Sequence, residues 1–88
     1  MKKNYRLHYV YINGYRPADR TRNYLCFTLI EPNKNGTKTL AVDEDVYNDI
    51  MRKCKDDAQR DYLAGEIHAR ILRRIQEGHH EGSINVAV

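Results

Sequence analysis

The stretch TKTLAVDEDVYNDIMRKC, residues 37–54, changes its hydrophobic period partway along and decides the fold. Leu40 and Val42 share one face of a segment with a period of two, as side chains do along a strand. From Asp43 onward the apolar residues recur every three or four positions, which is the spacing of an amphipathic helix. Asp43 suits the N-cap position, and the two acidic residues after it oppose the positive end of the helix dipole. The stretch therefore predicts a strand that passes directly into a helix.

Two further strands are predicted before this stretch. Residues 5–12 are rich in tyrosine, valine and isoleucine, the residue types that favour pleated sheets. Residues 23–30 alternate, so that every second side chain from Leu25 to Leu29 is directed at the core. Residues 32–36, PNKNG, predict a hairpin loop, because asparagine and glycine tolerate the positive φ that tight turns require.

A second helix and a last strand are predicted after it. Asp56 and Asp57 form a second N-cap signal, so we expect the first helix to end near Lys55. The second helix should end at Gly78, which suits the first position beyond a helix. The alternating tail, residues 83–88, predicts a strand at the edge of the sheet.

These elements predict an α+β fold in a single domain, residues 1–88. The order is β-β-β-α-α-β, which gives a three- to four-stranded antiparallel sheet with two helices packed on one face. The strand half covers residues 1–42 and the helical half residues 43–78. A chain of 88 residues buries one modest core and leaves no room for a separate catalytic domain.

The ends of the chain and its cysteines predict the compartment. The basic N-terminus lacks the apolar run of a signal peptide, and no stretch approaches 18 consecutive apolar residues. Cys26 and Cys54 are the only cysteines, and we expect both to be buried, reduced thiols. The sequence therefore predicts a cytoplasmic protein without a membrane partner.

Charge is unevenly divided along the chain. The net charge is +3, but residues 1–42 hold eight basic and two acidic side chains, whereas residues 43–88 hold seven basic and ten acidic ones. The first segment is therefore +6 and the second −3. An asymmetry of this kind indicates a polar partner or attraction between the two halves.

The motifs of common enzymes and cofactor sites are missing from the sequence. Neither glycine-rich phosphate-binding motif occurs, and Ser83, the only serine, has no evident activating partner. The paired acidic residues stand at helix starts, where capping explains them. His79, His80 and Glu81 resemble metal ligands, with His68 and Cys54 as possible additions, but their spacing does not suit one ion. We therefore expect no enzyme, no catalytic residue, no metal and no cofactor.

The basic, tyrosine-rich first half suggests a binding surface. Guanidinium groups pair with phosphates, and tyrosine rings stack on exposed bases. Tyrosines also belong on half-exposed sheets, and basic side chains protect sheet edges from aggregation, so a merely solvated sheet explains the same residues. Nucleic acid is the leading predicted partner. The candidate binding residues are Tyr15, Arg16, Arg20, Arg22, Tyr24, Lys34 and Lys38.

The alternative is a protein-binding regulator or inhibitor of the phage or mobile-element type, which blocks a host protein or a nuclease complex. Tyrosine and arginine are typical of interface hot spots, and the acidic residues between 43 and 61 suit a basic partner. A homodimer through the tail is also predicted, because an exposed strand carrying Ile84, Val86 and Val88 needs a neighbour.

Overall fold

The computed structural model has the predicted α+β fold and describes residues 2–14, 17–18, 21–29 and 38–88. Each predicted strand and helix is present, with ends shifted by at most three residues, whereas the predicted hairpin loop, residues 32–36, lies outside the described residues. The elements are the strands β1 (Asn4–Asn13), β2 (Tyr24–Leu29) and β3 (Lys38–Asp43), the helices α1 (Glu44–Lys53) and α2 (Asp57–Gln76), and the strand β4 (Glu81–Ala87).

The four strands form one antiparallel sheet in the order β2-β3-β1-β4. Strand β1 lies inside the sheet, with Tyr9 opposite Val42 of β3 and Leu7 opposite Ile84 of β4. The tail strand thus rejoins the sheet edge, as predicted, and starts two residues earlier. Its apolar side chains Ile84 and Val86 are buried, so β1 is the neighbour that this strand needs. Because β4 is also an edge strand of the sheet, a dimer through the tail stays a prediction.

The core lies between the sheet and the two helices. Its side chains come from one face of the sheet and from the apolar faces of α1 and α2. Leu25, Phe27 and Leu29 are half-buried and pack against it, as their alternation predicts. Complete burial of an aliphatic side chain stabilises the fold by about 1.5–3 kcal/mol relative to exposure. The largest fully buried members are Leu7, Tyr9, Leu40, Val42, Ile50, Ile67, Ile71 and Val86.

The two helices begin at the predicted caps. The carboxylate of Asp43 accepts from the backbone N–H of Val46 at 3.2 Å, and that of Asp56 accepts from Gln59 at 2.8 Å. Each cap satisfies one of the donors that the first turn of a helix leaves free. In the described part of the chain, no helix is both long and apolar enough to cross a membrane.

The connection between β1 and β2 returns from one end of the sheet to the other. Both strands run antiparallel to β3, so they are parallel to each other and cannot be joined by a tight turn. At one end, the hydroxyl of Thr39 donates to the carbonyl of Gly14, and at the other the N–H of Glu44 donates to the carbonyl of Asn23. The sequence predicts only a polar loop here and does not anticipate this path.

Cys26 corrects the expectation that both thiols are buried. Cys54 is buried at the end of α1, whereas Cys26 is exposed, and both are free. The reason is that Cys26 lies on β2, an edge strand, on the sheet face turned away from the helices. We refer to that face as the outer face.

Two glycines are expected to respond to alanine in opposite directions. Gly65 lies within α2 with nothing within 4 Å of an added Cβ, so Gly65→Ala should raise the free energy of unfolding by about 1 kcal/mol. Gly78 has a φ of +97°, so Gly78→Ala should lower it by about 1 kcal/mol. Urea unfolding of both variants and the wild type measures this, and shifts of the same sign would contradict it.

Candidate nucleic-acid interface

Three of the seven candidate binding residues, Arg22, Tyr24 and Lys38, lie in the described part of the chain. The other four, Tyr15, Arg16, Arg20 and Lys34, lie outside the described residues. Tyr24 pairs with Asp43 at one end of β3, and Lys38 begins the other end. The two ends of β3 are five positions apart, which is about 17 Å. Residues an odd number of positions apart on a strand direct their side chains to opposite faces of the sheet. Tyr24 and Lys38 therefore do not share one surface.

Lys38 instead belongs to a group of residues at the end of the sheet where β1 ends and β3 begins. Its ammonium nitrogen lies 5.9 Å from the ring centroid of Tyr11 and donates to the side-chain oxygen of Asn13. On another side of Tyr11, the His80 ring lies 5.5 Å away, centroid to centroid, at an angle of 57°. A backbone hydrogen bond of 2.8 Å from the N–H of Tyr11 to the carbonyl of His80 fixes the two residues together.

The contacts continue from this group to the C-terminus of α2. The fully buried Tyr9 donates its hydroxyl to the carbonyl of His79 at 2.7 Å. Arg74 donates from Nε to the same hydroxyl at 3.3 Å. Gly78, in the left-handed region, makes the turn that brings His79 and His80 beside the sheet. We call the surface formed by Tyr11, Lys38, Arg74, His79 and His80 the basic end.

The basic end combines the groups that contact nucleic acids. Lys38 and Arg74 are permanent cations at neutral pH, and each histidine adds charge when protonated. Tyr11 is half-buried and holds its ring between a cation and an imidazole. The Glu81 carboxylate lies 3.4 Å from Nε2 of His8, where it contacts the outer face. Positive charge of this kind favours anionic groups, and an aromatic ring lies beside it.

Tyr24 belongs to a separate row of polar side chains across the outer face. Its hydroxyl lies 3.5 Å from Nδ1 of His8, and Nε2 of the same ring faces Glu81. When the neutral imidazole carries its proton on Nε2, it donates to Glu81 and accepts from Tyr24. The row links β2, β1 and β4 and fixes the Tyr24 ring 6.0 Å from that of His8, centroid to centroid.

The residues considered as metal ligands have other contacts. His68 packs against Phe27 with ring centroids 4.5 Å apart at 80°, and the thiol of Cys54 donates to the carbonyl of Ile50 at 3.5 Å. Within residues 2–14, 17–18, 21–29 and 38–88, no group of three or more His, Cys, Asp or Glu side chains is placed to hold a metal ion.

No protein-family model matches this chain, and neither a curated protein nor a solved structure matches it. A functional argument therefore rests on the chain's own residues. Sequence reasoning did not bring Tyr11, Arg74 and His80 together. It placed Tyr11 in a predicted strand and considered His80 only as a possible metal ligand. Their contacts depend on the pairing of β4 with β1 and on the position of the end of α2, which no local period in the sequence encodes.

Stability is expected to depend on the protonation of His68. Burial lowers the pKa of His68 from its ordinary 6.5, because the charged imidazole is poorly solvated in the fold. As the pH falls below 7, the unfolded chain takes up the proton first, so stability is lost across and below 6.5. Urea unfolding between pH 7.5 and 5.5 should show this loss in the wild type and in the control His79→Gln, and a smaller loss in His68→Gln. An equal loss in all three would contradict it.

Proposed function

We propose that this protein is a small, non-enzymatic nucleic-acid-binding domain that contacts its ligand through the basic end. The observation that carries the proposal is the Tyr11 ring held between Lys38 and His80, with Arg74 connected through Tyr9. The proposed partner is still nucleic acid, as predicted from the sequence. The proposed site is now centred on the residues of the basic end, which pack together.

Each part of the basic end has a role in this proposal. Lys38 and Arg74 pair with backbone phosphates, and Tyr11 stacks on a base. An exposed base is needed for stacking, so a single strand fits better than a duplex. Lys34 precedes Lys38 by four residues in the chain and is a further candidate for phosphate contact. None of these roles requires bond making or breaking, which is why the proposal is a binding domain.

A cytoplasmic location is part of the proposal. Cys26 is an exposed free thiol, and such a thiol persists where the surroundings keep it reduced. A compartment of that kind also holds the nucleic acids that the basic end would bind. Alkylation of Cys26 in intact cells would test its redox state directly.

Binding of a labelled, mixed-sequence single strand should fall steeply with salt, because phosphate contacts release counterions. Lys38→Ala is expected to weaken binding about tenfold and to lower the salt slope by about one contact. Tyr11→Ala should weaken it by a similar factor and leave the slope unchanged, since stacking loses no charge. Fluorescence anisotropy from 20 to 200 mM salt measures both effects.

Lys55→Ala is the matched control, because Lys55 is exposed beyond the end of α1, outside the basic end. It should bind within twofold of the wild type. Absence of binding at 20 mM salt would overturn the proposal. A loss in Lys55→Ala equal to that in Lys38→Ala would reduce the interaction to net charge and overturn the assigned site.

The protein-binding regulator stays the second candidate because of one side chain on α2. Tyr62 is 73 % exposed, and in the described residues it is the one large hydrophobic side chain presented to solvent. Asp61 and Glu66 lie exposed beside it or one turn away. A tyrosine next to carboxylates suits a protein partner with a basic contact surface. The occupant in this second proposal is thus a basic protein segment docked on α2.

Tyr62→Ala should abolish retention of such a partner without changing the fold, because little of the side chain is buried. Immobilised wild type, Tyr62→Ala and Lys55→Ala are compared for proteins retained from a host lysate at 150 mM salt. The second candidate requires a basic protein held by the wild type and Lys55→Ala and lost with Tyr62→Ala. Retention by all three, or by none, would contradict it.

A further inference from the structure

A second group of cations surrounds a cavity at the opposite end of β1. The cavity has a volume of about 380 Å³, within the range of small-molecule sites. It lies between the start of β1 and the last turns of α1. Tyr5 and Tyr11 are six residues apart on β1, which places this cavity about 20 Å from the basic end. The lining residues are Lys3, Tyr5, Asp49, Arg52 and Lys53.

Two elements of the fold hold these side chains in place. Lys3 makes two backbone hydrogen bonds with Val88, of 2.8 and 3.0 Å, which continue the pairing of β1 with the tail. Its ammonium nitrogen lies 5.0 Å from the ring centroid of Tyr5, a buried core residue. Arg52 and Lys53 occupy the last turn of α1. The cations are thus brought together by tertiary structure, since Lys3 and Arg52 are 49 positions apart in the chain.

The charges around the cavity do not balance. Arg52 forms an ion pair with Asp49 one turn earlier on α1. Lys3 and Lys53 form no ion pair with any residue that the structure describes. Cations in the last turn stabilise the helix dipole, which accounts for Lys53, whereas Lys3 comes from a different element and contacts the Tyr5 ring. Three cations and one carboxylate leave a local charge of +2.

We propose that this cavity binds a phosphate monoester. A phosphate monoester carries close to two negative charges at neutral pH and so balances the site, whereas a phosphodiester carries one. Lysine ammonium groups and an arginine fork are the donors that bind phosphate oxygens. The volume of about 380 Å³ leaves room beside a phosphate group for the organic part of such an ester, and a nucleoside is one group of suitable size.

This site is independent of the proposed function at the basic end. The monoester has two sources with the same chemistry: a small molecule such as a nucleoside monophosphate, or the terminal phosphate of a nucleic-acid strand. Both present a dianion on a flexible ester linkage, and the probes below separate them.

Calorimetric titration with AMP, inorganic phosphate, and one oligonucleotide with either a 5′-phosphate or a 5′-hydroxyl tests the site. AMP should bind more tightly than inorganic phosphate. Lys3→Ala and Lys53→Ala should each weaken AMP binding about tenfold or more, because each removes a charge-assisted hydrogen bond. The matched controls Lys2→Ala and Lys55→Ala remove the same charge from exposed neighbours outside the cavity and should stay within twofold.

The pH dependence supplies a second readout. The second ionisation of a phosphate monoester lies near pH 6, so AMP affinity should fall between pH 7 and 5. Sulfate stays a dianion over this range, and its affinity should not fall in the same way. If the 5′-phosphate tightens oligonucleotide binding, the ligand is the end of a nucleic-acid strand. If it has no effect on oligonucleotide binding, the ligand is a small molecule.

Absence of saturable binding by every dianion would overturn the site, as would equal losses in the matched controls. Failure of the proposal for the basic end would give a different result. Lys38→Ala should leave AMP binding unchanged, and the 5′-hydroxyl strand reports on the basic end alone. The two proposals can therefore fail separately.

Discussion

The hydroxyl of Tyr9 is the polar group on which the arrangement of this fold depends. It lies in the core, where an unpaired hydroxyl would cost about 1–3 kcal/mol, and it is satisfied by His79 and Arg74. These two contacts join the central strand to the end of α2 and to the turn that leads into β4. Gly82 lies opposite Tyr9, where an added Cβ would be in ordinary van der Waals contact with the hydroxyl at 3.5 Å. The chemistry of one buried side chain thus positions the basic end.

Local patterns predict most of this fold because its elements are fixed by short-range physics. Asp43 and Asp56 cap the helices as expected, and Gly78 ends α2, since each satisfies a backbone requirement within four residues. The order of the strands in the sheet cannot be predicted from such local patterns. Pairing of β1 with both β3 and β4 is decided by contacts across the whole chain, which no local period encodes. The same limit explains Cys26: its hydrophobic character predicts burial, and its place on an edge strand decides exposure.

The proposed binding surface was predictable in its chemistry and only partly in its members. The sequence identifies cations and tyrosines as the relevant groups, and Lys38 belongs to the basic end. The net charge of each half of the sequence nevertheless does not show where charge lies on the folded protein. The first half is +6 and the second −3, yet the basic end joins Lys38 from the first half to Arg74 from the second. Tyr11 and His80 are 69 positions apart, so only the pairing of β4 with β1 reveals their contact.

The basic end and the cavity are built alike. Each combines cations from the C-terminus of a helix with a lysine from the sheet side, near one end of β1. The last turn of α1 supplies Arg52 and Lys53, and that of α2 supplies Arg74. Cations there stabilise the helix dipole by about 0.3–1 kcal/mol in any case, so their presence alone says little about a ligand. The strand lysines are more informative, because no helix end requires Lys3 or Lys38. Loss of a helix cation would remove stabilisation of the helix dipole together with the proposed binding, whereas loss of Lys3 or Lys38 would leave both helix ends unchanged. The strand lysines are therefore the residues at which ligand binding can be distinguished from the demands of the fold.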